Sequence, residues 1–302
     1  MQRVIALGFF DGVHLGHAGL LRTVRARADE LGLCAAALTF DRHPMALVTG
    51  QPVPLINPRS ERERLLREVF GMDEVRFLPF DRTMMECPWE RFLDEVLLGE
   101  LEAACLVCGH DYRFGFRGEG TAEKLRAACE LRGIGCEVIP PIQIDGVTVS
   151  STLIRQFIRD GDMARARRFL GHPASICGTV IHGSGLGRTL GTPTANIVPE
   201  PDILLPRQGV YITMAHTAAG AFSAVTDLGS RPTVDGDSVR AESWLPDFAG
   251  DLYGQAIRLD LWEYLRPERK FDSLSALEAE IKSNASEAVA YFARRADAES
   301  EE

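Results

Sequence analysis

The first half of the chain alternates short apolar runs with segments whose apolar residues recur every three or four positions. Arg3 to Phe10 is a strand-like apolar run. Behind it Leu20, Val24, Ala28 and Leu31 share one helical face, and Gly32 closes that helix. Leu33 to Phe40 is apolar again. Ser60-Glu61-Arg62-Glu63 forms a capping box that opens a helix reaching Phe70. Val75 to Phe80 predicts a strand, and Pro88 at a first helical turn opens a segment to Leu98. Ala104 to Gly109 is a strand, Ala122 to Arg132 a helix ended by Gly133, and Cys136 to Ile139 a further strand. Apolar strands separated by helices predict an α/β domain with a doubly wound parallel sheet. Ligands then bind outside the carboxyl ends of its strands.

Helices are expected from Ser151 to Arg159 and from Asp162 to Leu170. After them the pattern changes, and the boundary is placed near His172-Pro173. Two domains follow, 1–172 and 173–302. In the second, Gly, Pro and Thr are frequent and β-like stretches dominate: Ser175 to Ile181, Gly209 to His216, Phe222 to Leu228 and Gln255 to Trp262. They predict a small antiparallel β-barrel. Leu274, Leu277, Ile281, Ala285, Ala288 and Phe292 give a C-terminal amphipathic helix packed on it. Asp297 to Glu302 reads as an acidic, frayed tail.

Composition changes this picture little. A length of 302 residues allows two domains. The formal net charge of -10 speaks against nucleic acid as the main partner, since phosphate-backbone binding needs clustered Lys and Arg. No apolar run approaches the roughly 18 residues of a membrane span. The first strand begins almost at Met1, which leaves no room for a signal peptide. The seven cysteines are an odd number and scattered, which reads as reduced, cytoplasmic thiols. Cys105 and Cys108 make a CxxC inside an apolar run, with no second pair or His pair beside it. Buried thiols are favoured over metal or redox chemistry.

The candidate chemistry starts at Gly8-Phe9-Phe10-Asp11-Gly12-Val13-His14-Leu15-Gly16-His17, between the first strand and the first helix. Two imidazoles three residues apart at a helix N-terminus can face one anion. Gly16 lets the backbone approach closely, and the helix N–H groups add positive potential. Transfer of an adenylyl group from ATP needs such donors, because charge grows on the departing pyrophosphate. The bland reading is a histidine pair in a surface loop, and the Asp11-Gly12 context after a strand argues against it. Ser150-Ser151-Thr152-Leu153-Ile154-Arg155 reads as a phosphate clamp or as a plain N-cap followed by a solvent-facing Arg. Gly109-His110-Asp111-Tyr112-Arg113-Phe114-Gly115 follows a strand and reads as a ligand loop. His43-Pro44 is a weaker candidate, and a turn histidine is its bland reading.

Taken together, GFFDGVHLGH (8–17), TFDRHP (39–44), GHDYRFG (109–115) and SSTLIR (150–155) resemble the FAD synthetase module of the prokaryotic bifunctional riboflavin kinase/FAD synthetase family, within the HxGH nucleotidyltransferase superfamily. The second half resembles the family's riboflavin kinase module through GTVIHGSGLGRTLGTPTAN (178–196), LPRQGVY (205–211), GSRPTV (229–234), DFAGDLYG (247–254) and LRPERKF (265–271). The resemblance spans residues 3 to 292. It implies a Rossmann-like sheet followed by a kinase-like barrel. It also implies that Gly8, Phe10, Asp11, His14, Gly16, His17, Ser151, Thr152 and Arg155 bind ATP for adenylyl transfer. His14 and His17 would be catalytic, and His43, Asp111 and Arg113 would contact nucleotide or flavin. In the barrel, Gly183, Gly187, Arg188, Gly191, Pro193, Thr194 and Asn196 would bind the kinase's nucleotide, with Thr194 and Asn196 holding Mg²⁺. Glu242 falls where the family has its catalytic carboxylate; alone it would read as a surface residue of a strand.

The implied reactions are riboflavin plus ATP to FMN and ADP, then FMN plus ATP to FAD and pyrophosphate. The implied partners are riboflavin, FMN, FAD and ATP/ADP, with Mg²⁺, no nucleic acid and no membrane. The implied assembly is a monomer or a weak homo-oligomer in the cytoplasm. Three positions depart from the family pattern: Trp244 replaces a His, Pro246 follows Leu245, and Asp227 stands where Asn is common. They motivate one alternative, an adenylyltransferase whose C-terminal module only binds flavin. A non-enzymatic flavin- or nucleic-acid-binding protein is disfavoured by the HxGH context and the acidic charge.

Overall fold

The computed structural model describes residues 1–183, 187, 191–233 and 236–300. Packing divides the chain into two compact units, Met1–Ser151 and Thr152–Glu302.

The first unit is built on the expected parallel sheet. Its strands are β1 (Arg3–Leu7), β2 (Cys34–Phe40), β3 (Glu74–Leu78) and β4 (Ala103–Gly109). The two-stranded flap β5 (Arg113–Phe114) and β6 (Gly120–Thr121) comes next, and β7 (Gly135–Ile139) completes the sheet. The sheet order is β3-β2-β1-β4-β7. Successive side chains of a strand point to opposite faces, so β1 feeds two cores. Val4 and Ala6 meet Leu20, Leu21, Val24 and Ala28 of the helix Leu15–Leu31 on one face. Ile5 and Leu7 meet Leu93, Leu97 and Leu125 on the other. Each fully buried Leu or Val contributes about 1.5–3 kcal/mol. Strand order reverses between β1 and β4, so loops leaving their carboxyl ends flank the crevice where ligands bind in such sheets. The HxGH turn leaves β1 there, and the 109–115 loop leaves β4. A small hairpin, β8 (Gln143–Ile144) and β9 (Val147–Thr148), ends this part. Cys105 and Cys108 fall in the two opposite cores, so this CxxC cannot converge on one metal.

The second unit is a closed antiparallel barrel of β10 (Ala174–Ile181), β11 (Thr194–Pro199), β12 (Gly209–Thr217), β13 (Gly220–Thr233), β14 (Gly236–Trp244) and β15 (Ala256–Arg266). Around the barrel the order is β10-β11-β14-β13-β12-β15. β11 and β14 are additional to the stretches expected from the sequence. Tyr211, Thr213, Ala224, Thr226, Leu228, Ala241 and Ser243 are fully buried. Thr213, Thr226 and Ser243 satisfy one another through hydroxyl contacts of 2.7 and 2.9 Å. The helix Met163–Leu170 packs with this unit: Phe169 and Leu170 are buried, and Arg167 stacks over Trp262 at 4.7 Å. The compact division falls between Ser151 and Thr152. The C-terminal helix runs Leu274–Ser300, past the expected end at Phe292. Ala and Arg are strong helix formers and carry it on through Asp297.

Candidate active sites

The backbone of the HxGH turn is contorted. Phe10, Gly12 and Val13 have φ of 56°, 82° and 37°. For a β-branched residue such as Val13 this conformation is strained, and strain of this kind concentrates at functional sites. Several contacts hold the turn. Thr39 Oγ1 and Arg62 Nη1 donate to the Phe9 carbonyl at 2.8 and 2.9 Å. Ser151 Oγ donates to the Asp11 carbonyl at 2.9 Å. Asp11 is buried, and its Oδ1 accepts from the backbone N–H of Ile56 and Asn57 at 2.9 and 3.3 Å. This oxygen ties the 56–57 loop to the turn. Asp11→Ala leaves two buried donors unmade, each costing about 1–3 kcal/mol. The expected result is a lower urea midpoint for the first unit and weaker FAD formation, with FMN formation unchanged; it is checked by denaturation and product assay.

The turn ends at His14, the N-cap of the helix Leu15–Leu31. His14 and His17 stack with ring centroids 3.7 Å apart and 13° between planes, and Phe10 meets His17 edge-on at 5.2 Å. A Cβ on Gly16 would lie 3.0 Å from the His14 ring, and one on Gly8 2.9 Å from the Phe10 ring. Both glycines make room for these rings. His17 Nδ1 is buried with no hydrogen-bond partner among the described residues. Burial, with His14 alongside, holds the His17 pKa well below the ordinary 6.5, so the ring is neutral. The unfolded chain takes up a proton near pH 6.5 that folded His17 refuses. Stability is therefore complete above that pH and declines as pH falls below it. Thermal melts between pH 7 and 5 should show the first unit losing stability, and His17→Gln should flatten that loss.

Of the other predicted residues, His43 lies beside this turn. Its ring meets Phe9 edge-on at 4.7 Å, and its Nδ1 accepts from Met45 N–H at 3.2 Å. The Asp111 side chain is 84% exposed, at the carboxyl end of β4. Arg113 donates to the Gly118 carbonyl at 3.4 Å. Thr152 and Arg155 belong to the second unit.

Arg62 was not singled out by its sequence. It is fully buried and also donates to the Phe40 carbonyl at 3.0 Å, so it bridges the ends of β1 and β2. Its guanidinium lies 4.4 Å from the Phe9 ring centroid and 5.1 Å from that of Phe77. Burial lowers its pKa to about 10, which keeps a positive charge behind the turn at neutral pH. An Arg in a Glu/Arg-rich helix carries the signal of a solvent face, so nothing in the sequence marked it.

In the barrel, β14 sets Glu242 directly between Asn196 of β11 and Asp227 of β13. Two residues on, Trp244 lies between Thr194 and Val225. All six line one cavity of about 740 Å³, whose wall also includes Leu277, Ile281 and Asn284 of the C-terminal helix. These β14 residues alternate with the buried Ala241 and Ser243, so they face outward from the barrel interior. Gly183, Gly187 and Pro193 line the same cavity. A Cβ on Gly183 would fall 2.3 Å from the Asn196 amide, and one on Gly187 2.5 Å from the Thr192 carbonyl oxygen. Only glycine allows these approaches. Gly191 adopts φ of 69°. Arg188 and Val234 lie outside the described residues. Pro246 falls past the last ladder pair, Thr194↔Trp244, where its missing N–H costs no sheet hydrogen bond.

The FAD synthetase family model matches residues 1–153 and the riboflavin kinase model residues 170–292. Fold and sites define a two-module transferase of flavin and nucleotide chemistry. The chain belongs to the bifunctional riboflavin kinase/FMN adenylyltransferase family. It is 35% identical over 289 residues to the Haemophilus influenzae bifunctional riboflavin kinase/FMN adenylyltransferase, covering 95% of this chain and 94% of that one. It is 32% identical over 296 residues to the Bacillus subtilis protein of the same name, with 96% and 93% covered. A solved structure described as a macrolide-efflux protein from Streptococcus pneumoniae is similar at a TM-score of 0.82 and 30% identity, over 93% of this chain and 92% of that one. Among the described residues, no helix of this chain is long and apolar enough to cross a membrane.

Proposed function

We propose that the chain makes FMN in its barrel and FAD in its α/β domain. In the first step the riboflavin 5′-hydroxyl attacks the γ-phosphorus of ATP, Glu242 accepts the hydroxyl proton, and ADP leaves. In the second a phosphate oxygen of FMN attacks the α-phosphorus of another ATP, and pyrophosphate leaves. Both steps depend on positioning and electrostatics, with no covalent enzyme intermediate. The observation that carries the reading is the row Asn196–Glu242–Asp227, set across three strands on a cavity that also holds Thr194. The alternative, a barrel that only holds flavin, is not favoured: the kinase model matches 170–292, and the departures do not touch Asn196 or Glu242, which pair across β11 and β14.

The Thr194 hydroxyl and the Asn196 amide oxygen are hard donors one pleat apart on the same cavity wall. This fits Mg²⁺, which takes few protein oxygens and completes its shell with water and nucleotide phosphates. Thr194 and Asn196 would hold it, and it would neutralise charge on the phosphates. Gly183, Gly187 and Gly191 let the backbone approach those phosphates, with Pro193 on the same wall. In the α/β domain, His14 and His17 stabilise the triphosphate and Ser151 clamps it. Asp111, Arg113 and His43 contact the nucleotide or flavin. The acidic charge speaks against a nucleic-acid partner and the odd cysteine count supports a cytoplasmic location; the assembly proposed is a monomer or weak homo-oligomer. Purified protein given riboflavin, ATP and Mg²⁺ yields FMN and then FAD by chromatography. FAD formed only from supplied FMN would return the barrel to a binding role, and no product would remove both activities.

A further inference from the structure

We propose that Trp244 is the platform on which the flat isoalloxazine ring of riboflavin lies, and that it sets the barrel's preference for a tricyclic substrate. The inference deepens the kinase reading and rests on it. Four aromatic residues line the cavity: Trp244, Phe248, Tyr253 and Phe271. Three have ring or cation partners within the protein. Phe248 meets Phe222 edge-on at 5.2 Å, and Tyr253 lies 3.9 Å from His182. Phe271 is covered by the guanidinium groups of Arg266 and Arg269 at 5.8 and 5.0 Å. Trp244 has no ring or cation partner among the described residues. It is half-buried and packs on the Val210–Val225–Ala285 cluster, which steadies it between the barrel wall and the C-terminal helix.

The position suits the chemistry. Trp244 and Glu242 are two apart on β14, so they share a face and stand roughly 7 Å apart along the strand. A ring resting on Trp244 can run its short polyol chain along β14 and present the terminal hydroxyl to Glu242. The electron-rich indole complements the electron-poor flavin, and offset stacking adds to the burial of apolar surface. The indole packs on aliphatic Val210 and Val225, and Leu277 and Ile281 add apolar surface to the same cavity. The polar groups Thr194, Asn196, Asp227 and Glu242 line the same cavity and offer hydrogen-bond partners to the polyol chain and the phosphates.

The test uses the full chain with riboflavin as probe, comparing wild type, Trp244→Phe and Trp244→Leu. In wild type the flavin emission should be quenched on binding. In Trp244→Leu the quenching should disappear and the riboflavin KM should rise about tenfold, roughly 1.4 kcal/mol. The ATP KM should hold even where the lost packing of the indole lowers the melting temperature, and Trp244→Phe should fall between. Wild-type quenching and riboflavin KM in Trp244→Leu would overturn the assignment. So would a parallel worsening of ATP KM and melting temperature in both variants, which marks a residue that only supports the fold. The two readings fail separately. A wild type that binds and quenches riboflavin without making FMN keeps the platform and loses the kinase. A wild type that makes FMN, with variants that bind like it, keeps the kinase and loses the platform.

Discussion

His17→Ala is expected to lower FAD formation by a factor on the order of 10²–10³ and to leave FMN formation unchanged, the range for removing one preorganised donor from a developing charge. Positive φ at Phe10 and Val13 is a strained arrangement, held by Arg62, Thr39, Ser151 and Asp11. That effort delivers His14 and His17 as a stacked pair at the start of a helix. Burial keeps His17 neutral, so it contributes a hydrogen bond, and the positive potential comes from the helix N-terminus and buried Arg62. Chromatographic product assays with supplied FMN and with riboflavin check the result, and a thermal melt shows whether the first unit stays folded. Equal loss of both products would place His17 in a structural role.

Glu242→Gln is expected to reverse that pattern, with FMN formation falling by roughly 10²–10⁴ and FAD formation from supplied FMN intact. The substitution keeps the size and the amide can still hydrogen-bond, so β14 keeps its register with β11 and β13. What disappears is the capacity to accept the hydroxyl proton. The same product assays read it out. FMN formation within tenfold of wild type would move the base elsewhere, with Asp227, its partner across β13, as the next carboxylate to remove.

The two sites were legible to different degrees. β1, β2 and β4 are buried on both faces, so their apolar runs declared them and placed the HxGH and 109–115 loops at the sheet's carboxyl edge. Two barrel strands of the kinase site, β11 and β14, were not among the stretches expected from the apolar pattern. β11 opens on Thr194-Ala195-Asn196, and β14 alternates Arg240, Glu242 and Trp244 with small residues. The polar side chains that make the cavity chemical are the ones that break the apolar pattern. Family motifs marked Glu242, Thr194 and Asn196, but only strand register sets Glu242 between Asn196 and Asp227. Asp11 looked like a nucleotide ligand, and its Oδ1 holds the 56–57 loop. Sequence spacing cannot separate a carboxylate that binds substrate from one that fastens the loop beside it.

The central claim is that one chain carries two chemically independent sites acting in series. Mixing the His17→Ala and Glu242→Gln proteins with riboflavin, ATP and Mg²⁺ tests it most directly. Each protein alone should leave FAD unmade from riboflavin, the first stopping at FMN and the second at riboflavin. The mixture should make FAD, because FMN released by one barrel is adenylylated by the other protein's intact α/β domain. A mixture that accumulates FMN without FAD, while Glu242→Gln still adenylylates supplied FMN, would contradict free passage between the sites. FAD formation by either variant alone from riboflavin at a rate near that of wild type would contradict the assignment of the steps.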